Sequence, residues 1–377
     1  CTFPEDVLLL TGYWPVVGTS IAIATADGRI SCLVPQDEMD LASLGWATDL
    51  RPYSPGSLET LITPVEAARE PLATLLNDLG VASGRIAYED LDFYEGASYA
   101  AMYLFNTAIT PLLHDAAPNA ALVSSAPAIA QLRSRLTSYE VDRVRLACHI
   151  AGPSFIEQTK TIRAGAHEPE IAAAYAGSLL IGGLGNPSVS QSDAFVWCMS
   201  GPRSAEAGAA YARTANRQLQ PGDLVLVHCN SYVDGYWTDI TRTYCLGEPD
   251  DRQRAMYDAV FAARAAALDV IKPGARAAAV DTAARRVLTE RGFGKYFTHG
   301  IGHSVGFSVI SADFPPRLHP KSPDTLAVGS TFNIEPAIYV KGYGGIRHCD
   351  VVTVREDGPE VLTAFQASIT DLVRPSL

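Results

Sequence analysis

The sequence has little positive charge and no cluster of it. Lysine and arginine together number 29 against 41 aspartates and glutamates, the formal net charge is -12, and no basic run is longer than two residues. Nucleic acids and anionic membranes both require clustered basic side chains, so this composition argues against either as a partner. We expect a small-molecule substrate instead.

Long apolar runs and closely spaced cysteines are also missing. The stretch VLLLTGYWPVVGTSIAIATADG is interrupted by Gly12, Pro15 and Gly18, so it predicts two strands and a turn rather than a membrane-spanning helix. The seven cysteines contain no CxxC pair and lack the density of a secreted disulfide scaffold. The sequence therefore favours a cytoplasmic protein with no membrane-spanning segment.

A chain of 377 residues, 47% of them hydrophobic, is long enough for two domains with substantial cores. Up to about residue 135, short strand-like runs alternate with Ala/Leu-rich helical runs, which is typical of an α/β unit. In TSYEVDRVRLACHIAG the apolar spacing becomes helical after a possible cap at Thr137 or Ser138. We predict a mixed-sheet domain over residues 1–135 and a second domain over residues 136–377.

The second domain contains a clear hairpin pattern. The segment PGDLVLVHCNSYVDGYWTDITRTYCLG predicts two strands joined by a turn at Asp234 and Gly235. Two helices follow, ending near KPG and ERGFG. The segment STFNIEPAIYVKGYGGIRHCDVVTV is again β-rich, so this domain is predicted to alternate helices with antiparallel strands.

Four polar residues in this domain are candidates for chemistry. The glycine-rich segment HGIGHSVG contains His299 and His303, in a bend where the backbone can approach a ligand closely. Asp239 and Glu335 each lie within runs that are predicted to be buried. A buried carboxylate needs an arginine, hydrogen bonds or a metal ion as a partner. Two histidines alone would not indicate a functional site, but two histidines together with two buried carboxylates do.

The motifs TSYEVDRVRLACHIA, PGDLVLV, DGYWTDITRTY, HGIGHSVG, NIEPAIY and GGIRHCDVV resemble those of the pita-bread hydrolases, in the family's order and spacing. That family includes aminopeptidase P, prolidase, methionine aminopeptidase and creatinase. The resemblance covers nearly the whole chain and implies an α/β (α+β) fold. It implies a creatinase-like N-terminal domain, a C-terminal pita-bread domain with a curved antiparallel sheet, and a homodimer.

The resemblance also implies a set of metal ligands. In the peptidase members five residues hold two metal ions, and Asp239, His303 and Glu335 match three of them. The other two positions, where the peptidases carry Asp and Glu, hold His228 and Cys349. All five remain candidate ligands because histidine and cysteine also bind metals.

The two exchanges change the metal that we expect. The loss of two carboxylates leaves too little negative charge to neutralise two divalent ions, so one ion is the better prediction. Nitrogen, oxygen and sulfur donors suit Zn or Fe better than Mn. The resemblance puts Cys349 at a ligand position, and since strand neighbours point to opposite faces, His348 is then predicted to point away from the site.

Two histidines of the peptidase members have no counterpart in this chain. The place seven residues after His303 holds Ile310, or Asp313 if a short insertion is allowed, and the place before NRQLQPGD offers only Tyr211. These histidines handle protons and stabilise the tetrahedral intermediate in the peptidases. We therefore expect that the chain is not a standard Xaa-Pro peptidase.

Three functional hypotheses remain at this level. The first is an enzyme with a remodelled mononuclear metal centre that hydrolyses a C–N bond of a small polar amide or amino-acid-like substrate. A metal-free hydrolase or lyase of the creatinase type and a non-catalytic binding module are the alternatives. Arg242 and Arg347 are expected to brace the site carboxylates. The candidates for catalysis are Glu335, His228, His303 and Tyr211, and those for substrate contact are His299, Arg347 and Asp313.

Overall fold

A computed structural model describes residues 1–16, 20–54, 63–90, 109–209, 213–308 and 314–375. The contacts within the chain divide it into two compact units, Cys1–Arg133 and Ser134–Leu377. In these described ranges, none of the helices combines the length and the apolar character that crossing a bilayer requires.

The described part of the N-terminal unit combines helices with a three-stranded mixed sheet and a separate two-stranded parallel sheet. Its helices are α1 (Pro4–Thr11), α2 (Met39–Ala42), α3 (Pro64–Asp78), α4 (Ile109–Ala116) and α5 (Ala126–Arg133). Its strands are β1 (Ile21–Ala24), β2 (Ile30–Pro35), β3 (Asp49–Tyr53), β4 (Arg85–Tyr88) and β5 (Ala121–Ser124). Strand β2 pairs antiparallel with β1 and parallel with β3, and β4 pairs parallel with β5. Leucines of α3 and α4 belong to a buried apolar cluster in this unit.

The C-terminal unit contains the longer elements. Its helices are α6 (Ser138–Glu157), α7 (Glu168–Ile181), α8 (Asp251–Asp269), α9 (Ala277–Glu290) and α10 (Ile369–Leu372). Its first strands are β6 (Ser192–Ser200), β7 (Leu224–Val233), β8 (Tyr236–Trp237) and β9 (Ile240–Leu246). Its later strands are β10 (Thr331–Ile334), β11 (Ala337–Val340), β12 (Gly344–Arg347), β13 (Asp350–Arg355), β14 (Gly358–Val361) and β15 (Val373–Arg374).

Local sequence signals account for the main elements of this unit. Thr137 caps α6 through a reciprocal capping box with Glu140, as the motif predicts. Asp234 and Gly235 both take positive φ values, 48° and 82°, which is the conformation a two-residue hairpin turn requires. The predicted hairpin is confirmed, with β7 antiparallel to β8 and β9.

The sheets bring distant parts of the chain to one place. Strand β7 lies between β6 and β9, and every residue of β7 and β9 is buried. The β7–β9 register sets His228 opposite Thr241, and Thr241 forms an isolated antiparallel bridge with Cys349. Strand β10 pairs with β13, and a further bridge joins Ser304 to Phe332. Four chain segments therefore converge on the interior beside β9.

Candidate metal and catalytic site

Asp239 lies at the centre of the polar cluster. It precedes β9, is 2% exposed, and its Oδ1 lies 3.6 Å from His228 Nδ1. Its Oδ2 lies 3.3 Å from His303 Nε2. Burial alone would raise the pKa of Asp239, but its electrostatic interactions with His228, His303 and Arg347 outweigh burial and lower it to about 2. Asp239 is therefore a permanent anion at neutral pH.

His228 is a neutral imidazole in the middle of β7. Burial, together with the positive charge of Arg347, lowers its pKa to about 3. Its Nδ1 is 2.9 Å from the hydroxyl of Thr241, and its ring stacks on Trp197 with centroids 5.5 Å apart. The hydroxyl of Thr241 and the ring of Trp197 both help to orient the imidazole.

His303 approaches the cluster from the glycine-rich loop. Its Nδ1 lies 3.0 Å from the carbonyl of Ser304, and since a carbonyl can only accept, Nδ1 carries the proton. Burial would lower the pKa of His303, but the hydrogen bond and charge of Asp239 prevail and raise it. The atom that faces the other donors is therefore Nε2, which is the geometry of a metal-binding histidine.

Cys349 and His348 lie between β12 and β13, and their side chains contact different groups. Cys349 is fully buried, and its thiol donates to the carbonyl of Asp239 at 3.2 Å and lies 3.5 Å from the Oδ1 atom of that residue. Burial, with the nearby charges of Asp239 and Glu335, raises the pKa of this thiol. His348 instead lies 3.4 Å from Asp350, and burial with the Arg242 charge lowers its pKa to about 4.

Glu335 follows β10 and lies apart from the Asp239 cluster. Its carboxylate is 3.8 Å from Arg347 Nη1 and 4.0 Å from His299 Nδ1, which are ion-pair distances rather than hydrogen bonds. The side chain of Glu335 is 12% exposed, so solvent or a ligand can reach it. Arg347 itself is buried and donates from Nε to the Thr241 hydroxyl at 3.0 Å.

His299 faces Tyr339. Its Nδ1 lies 2.7 Å from the carbonyl of Gly300, so Nε2 must accept, and the Tyr339 hydroxyl donates to it at 3.1 Å. Burial lowers the pKa of His299, which keeps the ring neutral. The pair forms a fixed polar wall on the Glu335 side of the site.

One expectation for a neighbouring arginine was wrong. Arg242 donates to Asp350 Oδ1 at 2.8 Å and to the carbonyl oxygens of Thr241, Cys349, Thr363 and Phe365. It braces the segment that carries Cys349 and makes no ion pair with Asp239 or Glu335 among the described residues. Arg242 is buried on the other side of β9, because strand alternation puts residue 242 on the face opposite Thr241 and Thr243.

Three positions named from the sequence, Tyr211, Ile310 and Asp313, lie outside the described residues. Other residues of the site were missed. Asn333 lies two positions before Glu335 and is fully buried among Asp239, His303 and Cys349. Its place in the motif NIEPAIY, two residues before Glu335, was the available sequence signal. Trp197 gave no comparable signal.

The donor types in the cluster fit one divalent transition metal. Asp239, His303 and Cys349 supply oxygen, nitrogen and sulfur, a set that suits Zn or Fe and is too weakly charged for two hard ions. The spacing is still that of hydrogen bonds, with Asn333 Nδ2 3.2, 3.1 and 3.5 Å from the three donor atoms. No three of the site's ionisable donors, within the described ranges, lie within 4.8 Å of one another.

The fold is of the α/β type and its polar cluster contains side chains that could hold a metal ion. Comparison with known proteins gives the family of the chain. The sequence profile of metallopeptidase family M24 matches residues 142–356, and this chain belongs to that family. Membership implies dependence on a divalent metal ion. It also confirms the predicted kinship with the pita-bread hydrolases.

The relatives carry peptidase names. The Xaa-Pro dipeptidase of Pyrococcus furiosus is 32% identical over 241 residues, which are 64% of this chain and 66% of that protein. The dipeptidase PepE structure from Mycobacterium ulcerans is 26% identical with a TM-score of 0.76, covering 99% of this chain and 92% of that one. The X-Pro aminopeptidase structure from Thermotoga maritima has a TM-score of 0.79 at 23% identity, covering 99% and 94%.

These comparisons confirm the predicted fold class and overturn the predicted reaction. We had expected a hydrolase that is not a standard Xaa-Pro peptidase, and the relatives are named as Xaa-Pro dipeptidase and dipeptidase. The metal-free and non-catalytic alternatives are no better supported. The argument from missing histidines rested on single loop positions, and loops vary more in sequence and length than the strands they connect.

Proposed function

We propose that this chain is a peptide hydrolase of the dipeptidase type, with Xaa-Pro dipeptides as its first candidate substrates. Membership of metallopeptidase family M24 and the names of the relatives support this. The net charge of -12 also fits a small peptide better than a polyanion. A homodimer and a cytoplasmic location are carried forward as proposals of the same kind.

The metal part of the proposal is a single Zn or Fe ion held by Asp239, His303 and Cys349. The chemistry of these three donors supports one ion of intermediate softness. A bound divalent ion supplies a Lewis acid that polarises the scissile carbonyl. His228, neutral and 3.6 Å from Asp239, is the candidate for a further ligand.

Glu335 is the proposed proton-transfer residue, and its position is the observation that carries the function. Its carboxylate is partly exposed and lies only at ion-pair distances from Arg347 and His299. A carboxylate without a short hydrogen bond can accept a proton from water and pass it to the leaving amine. Arg347 holds the carboxylate in place by charge without blocking it.

His299 and Tyr339 are proposed to orient the substrate. The neutral ring of His299 is fixed between the Gly300 carbonyl and the Tyr339 hydroxyl, so neither group needs to reorganise when a peptide binds. Their side of the site is adjacent to Glu335. A peptide placed there would present its carbonyl to the proton-transfer residue.

The test is a hydrolysis assay with matched dipeptides. Purified protein is incubated separately with Zn, Fe, Co and Mn, and release of the C-terminal amino acid is measured for Xaa-Pro and for Xaa-Ala dipeptides. Glu335→Gln should lower kcat by at least about 100-fold, because the amide cannot accept the proton. Glu248→Gln, at a side chain that is 84% exposed, is the control.

Two outcomes would contradict the proposal. One is the absence of dipeptide cleavage with each of the four metals. The other is cleavage that Glu335→Gln leaves at the wild-type rate, since the proton would then be moved by another group. Far-UV circular dichroism of both variants excludes loss of fold as the cause of a lower rate.

A further inference from the structure

The side-chain amide of Asn333 lies where the three proposed metal donors meet. Its Nδ2 is 3.2 Å from Asp239 Oδ2, 3.1 Å from His303 Nε2 and 3.5 Å from Cys349 Sγ. Asn333 itself is fully buried on β10. An amide nitrogen with two N–H groups therefore occupies the space among oxygen, nitrogen and sulfur atoms that could hold a cation.

The orientation of this amide follows from a backbone contact. Asn333 Oδ1 accepts from the backbone N–H of His303 at 2.7 Å. A backbone N–H can only donate, so Oδ1 must face it and Nδ2 must face the donor atoms. The close approach requires Gly302, where an added Cβ would lie 2.0 Å from the carbonyl oxygen of Asn333. The loop and the strand therefore hold the amide with its hydrogens toward Asp239.

The present spacing suits hydrogen bonds rather than metal coordination. Zinc binds oxygen, nitrogen and sulfur at about 2.0 to 2.3 Å, whereas the same three atoms stand 3.1 to 3.5 Å from Asn333 Nδ2. A cation in this space would also face the positive ends of the N–H dipoles. The amide and the metal ion cannot share the space, so one must leave before the other enters.

We propose that Asn333 competes with the metal ion for the centre of the Asp239, His303 and Cys349 donors and so sets the affinity of the site. The amide donates to the buried carboxylate of Asp239 at 3.2 Å, and this hydrogen bond offsets part of the cost of burying that anion when no ion is bound. Metal entry requires the amide to withdraw and the donors to contract. This inference rests on the proposed metal site but not on the proposed substrate.

The test measures metal affinity directly and needs no substrate. Chelator-treated protein is titrated with Zn²⁺ in competition with a chromophoric chelator, for the wild type and for Asn333→Ala. We expect the variant to bind Zn²⁺ roughly tenfold more tightly, because loss of one or two hydrogen bonds in the metal-free state corresponds to about that factor. Thr331→Ser is the control, because Thr331 lies on the same strand and its hydroxyl is hydrogen-bonded to Gly329 and Thr353. Its Zn²⁺ affinity should stay within about twofold of that of the wild type.

The opposite result would overturn the inference. If Asn333 instead rotated to give its Oδ1 as a metal ligand, Asn333→Ala would bind Zn²⁺ more weakly than the wild type. An unchanged affinity would likewise show that the amide does not compete. If the alanine variant does not fold, Asn333→Ser is judged by the same criteria, because its shorter side chain also lacks the N–H groups. If the wild type cleaves no dipeptide but Asn333→Ala binds Zn²⁺ more tightly than the wild type, the proposed function is refuted and this inference stands.

Discussion

Replacing Arg242 should be among the most damaging changes in the C-terminal unit. The guanidinium is fully buried and donates to Asp350 and to four backbone carbonyls, including that of Cys349 at 2.7 Å. Its carbon atom also lies 4.5 Å from the centroid of the Phe365 ring. Arg242→Met keeps much of the side-chain volume and removes every one of these polar contacts.

The size of the effect follows from what is left behind. Asp350 is 1% exposed and retains contacts with Arg264 and Thr363. Removing one partner of a buried ion pair costs about 3 to 5 kcal/mol. The four backbone carbonyls that lose their hydrogen bonds to Arg242 raise the cost further, but the separate costs do not simply sum because the groups share one partner. We expect the free energy of unfolding to fall by about 4 kcal/mol, most of it because the buried carboxylate of Asp350 loses one of its two arginine partners.

Urea unfolding followed by tryptophan fluorescence measures this change, with hydrogen exchange of β9 and β13 to place it in the C-terminal unit. Arg264→Met is the matched control, since this arginine also contacts Asp350 but is partly exposed. A double-mutant cycle with Asp350→Asn should show a coupling of at least about 1 kcal/mol. A loss below about 1 kcal/mol for Arg242→Met, or no coupling, would refute the reasoning.

Three further results are expected. Gly302→Ala should lower the free energy of unfolding by about 1 to 3 kcal/mol in urea titration, because its Cβ would lie 2.0 Å from a carbonyl oxygen of β10; Gly177→Ala, with open space around it, should not. Tyr339→Phe should lower kcat/KM for dipeptides by about 3- to 10-fold through loss of one hydrogen bond to the neighbouring imidazole, and an unchanged value would contradict its orienting role. In Co(II)-loaded protein, Cys349→Ser should remove the sulfur-to-metal absorption band while His348→Ala preserves it, and the reverse pattern would show that the wrong residue faces the site.

Much of the C-terminal fold could be read from local sequence. The capping pair around Thr137, the turn at Asp234 and Gly235 and the apolar run from residue 224 each specify their own short segment. Strand alternation also separated Cys349 from His348 before any contact was known. These features were predictable because each depends on residues only a few positions apart.

The prediction of the reaction failed where it depended on single loop positions. Residues 211, 310 and 313 lie outside the described ranges, and counting along a loop does not say which side chain fills a place in space. The family match over residues 142–356 and the names of the relatives corrected the expectation. A motif in a strand keeps its register, whereas a loop can change length without moving the strands that flank it.

The sequence by itself indicated five candidate metal ligands: Asp239, His303, Glu335, His228 and Cys349. Only the tertiary structure decided which of these side chains lie in one cluster and which lie apart from it. It brought Asn333 to within 3.5 Å of three of them and left Glu335 beside Arg347 and His299. Strand periodicity fixes the face on which a side chain lies, but the atoms that meet across strands nearly a hundred residues apart are set by register and close packing of the whole unit.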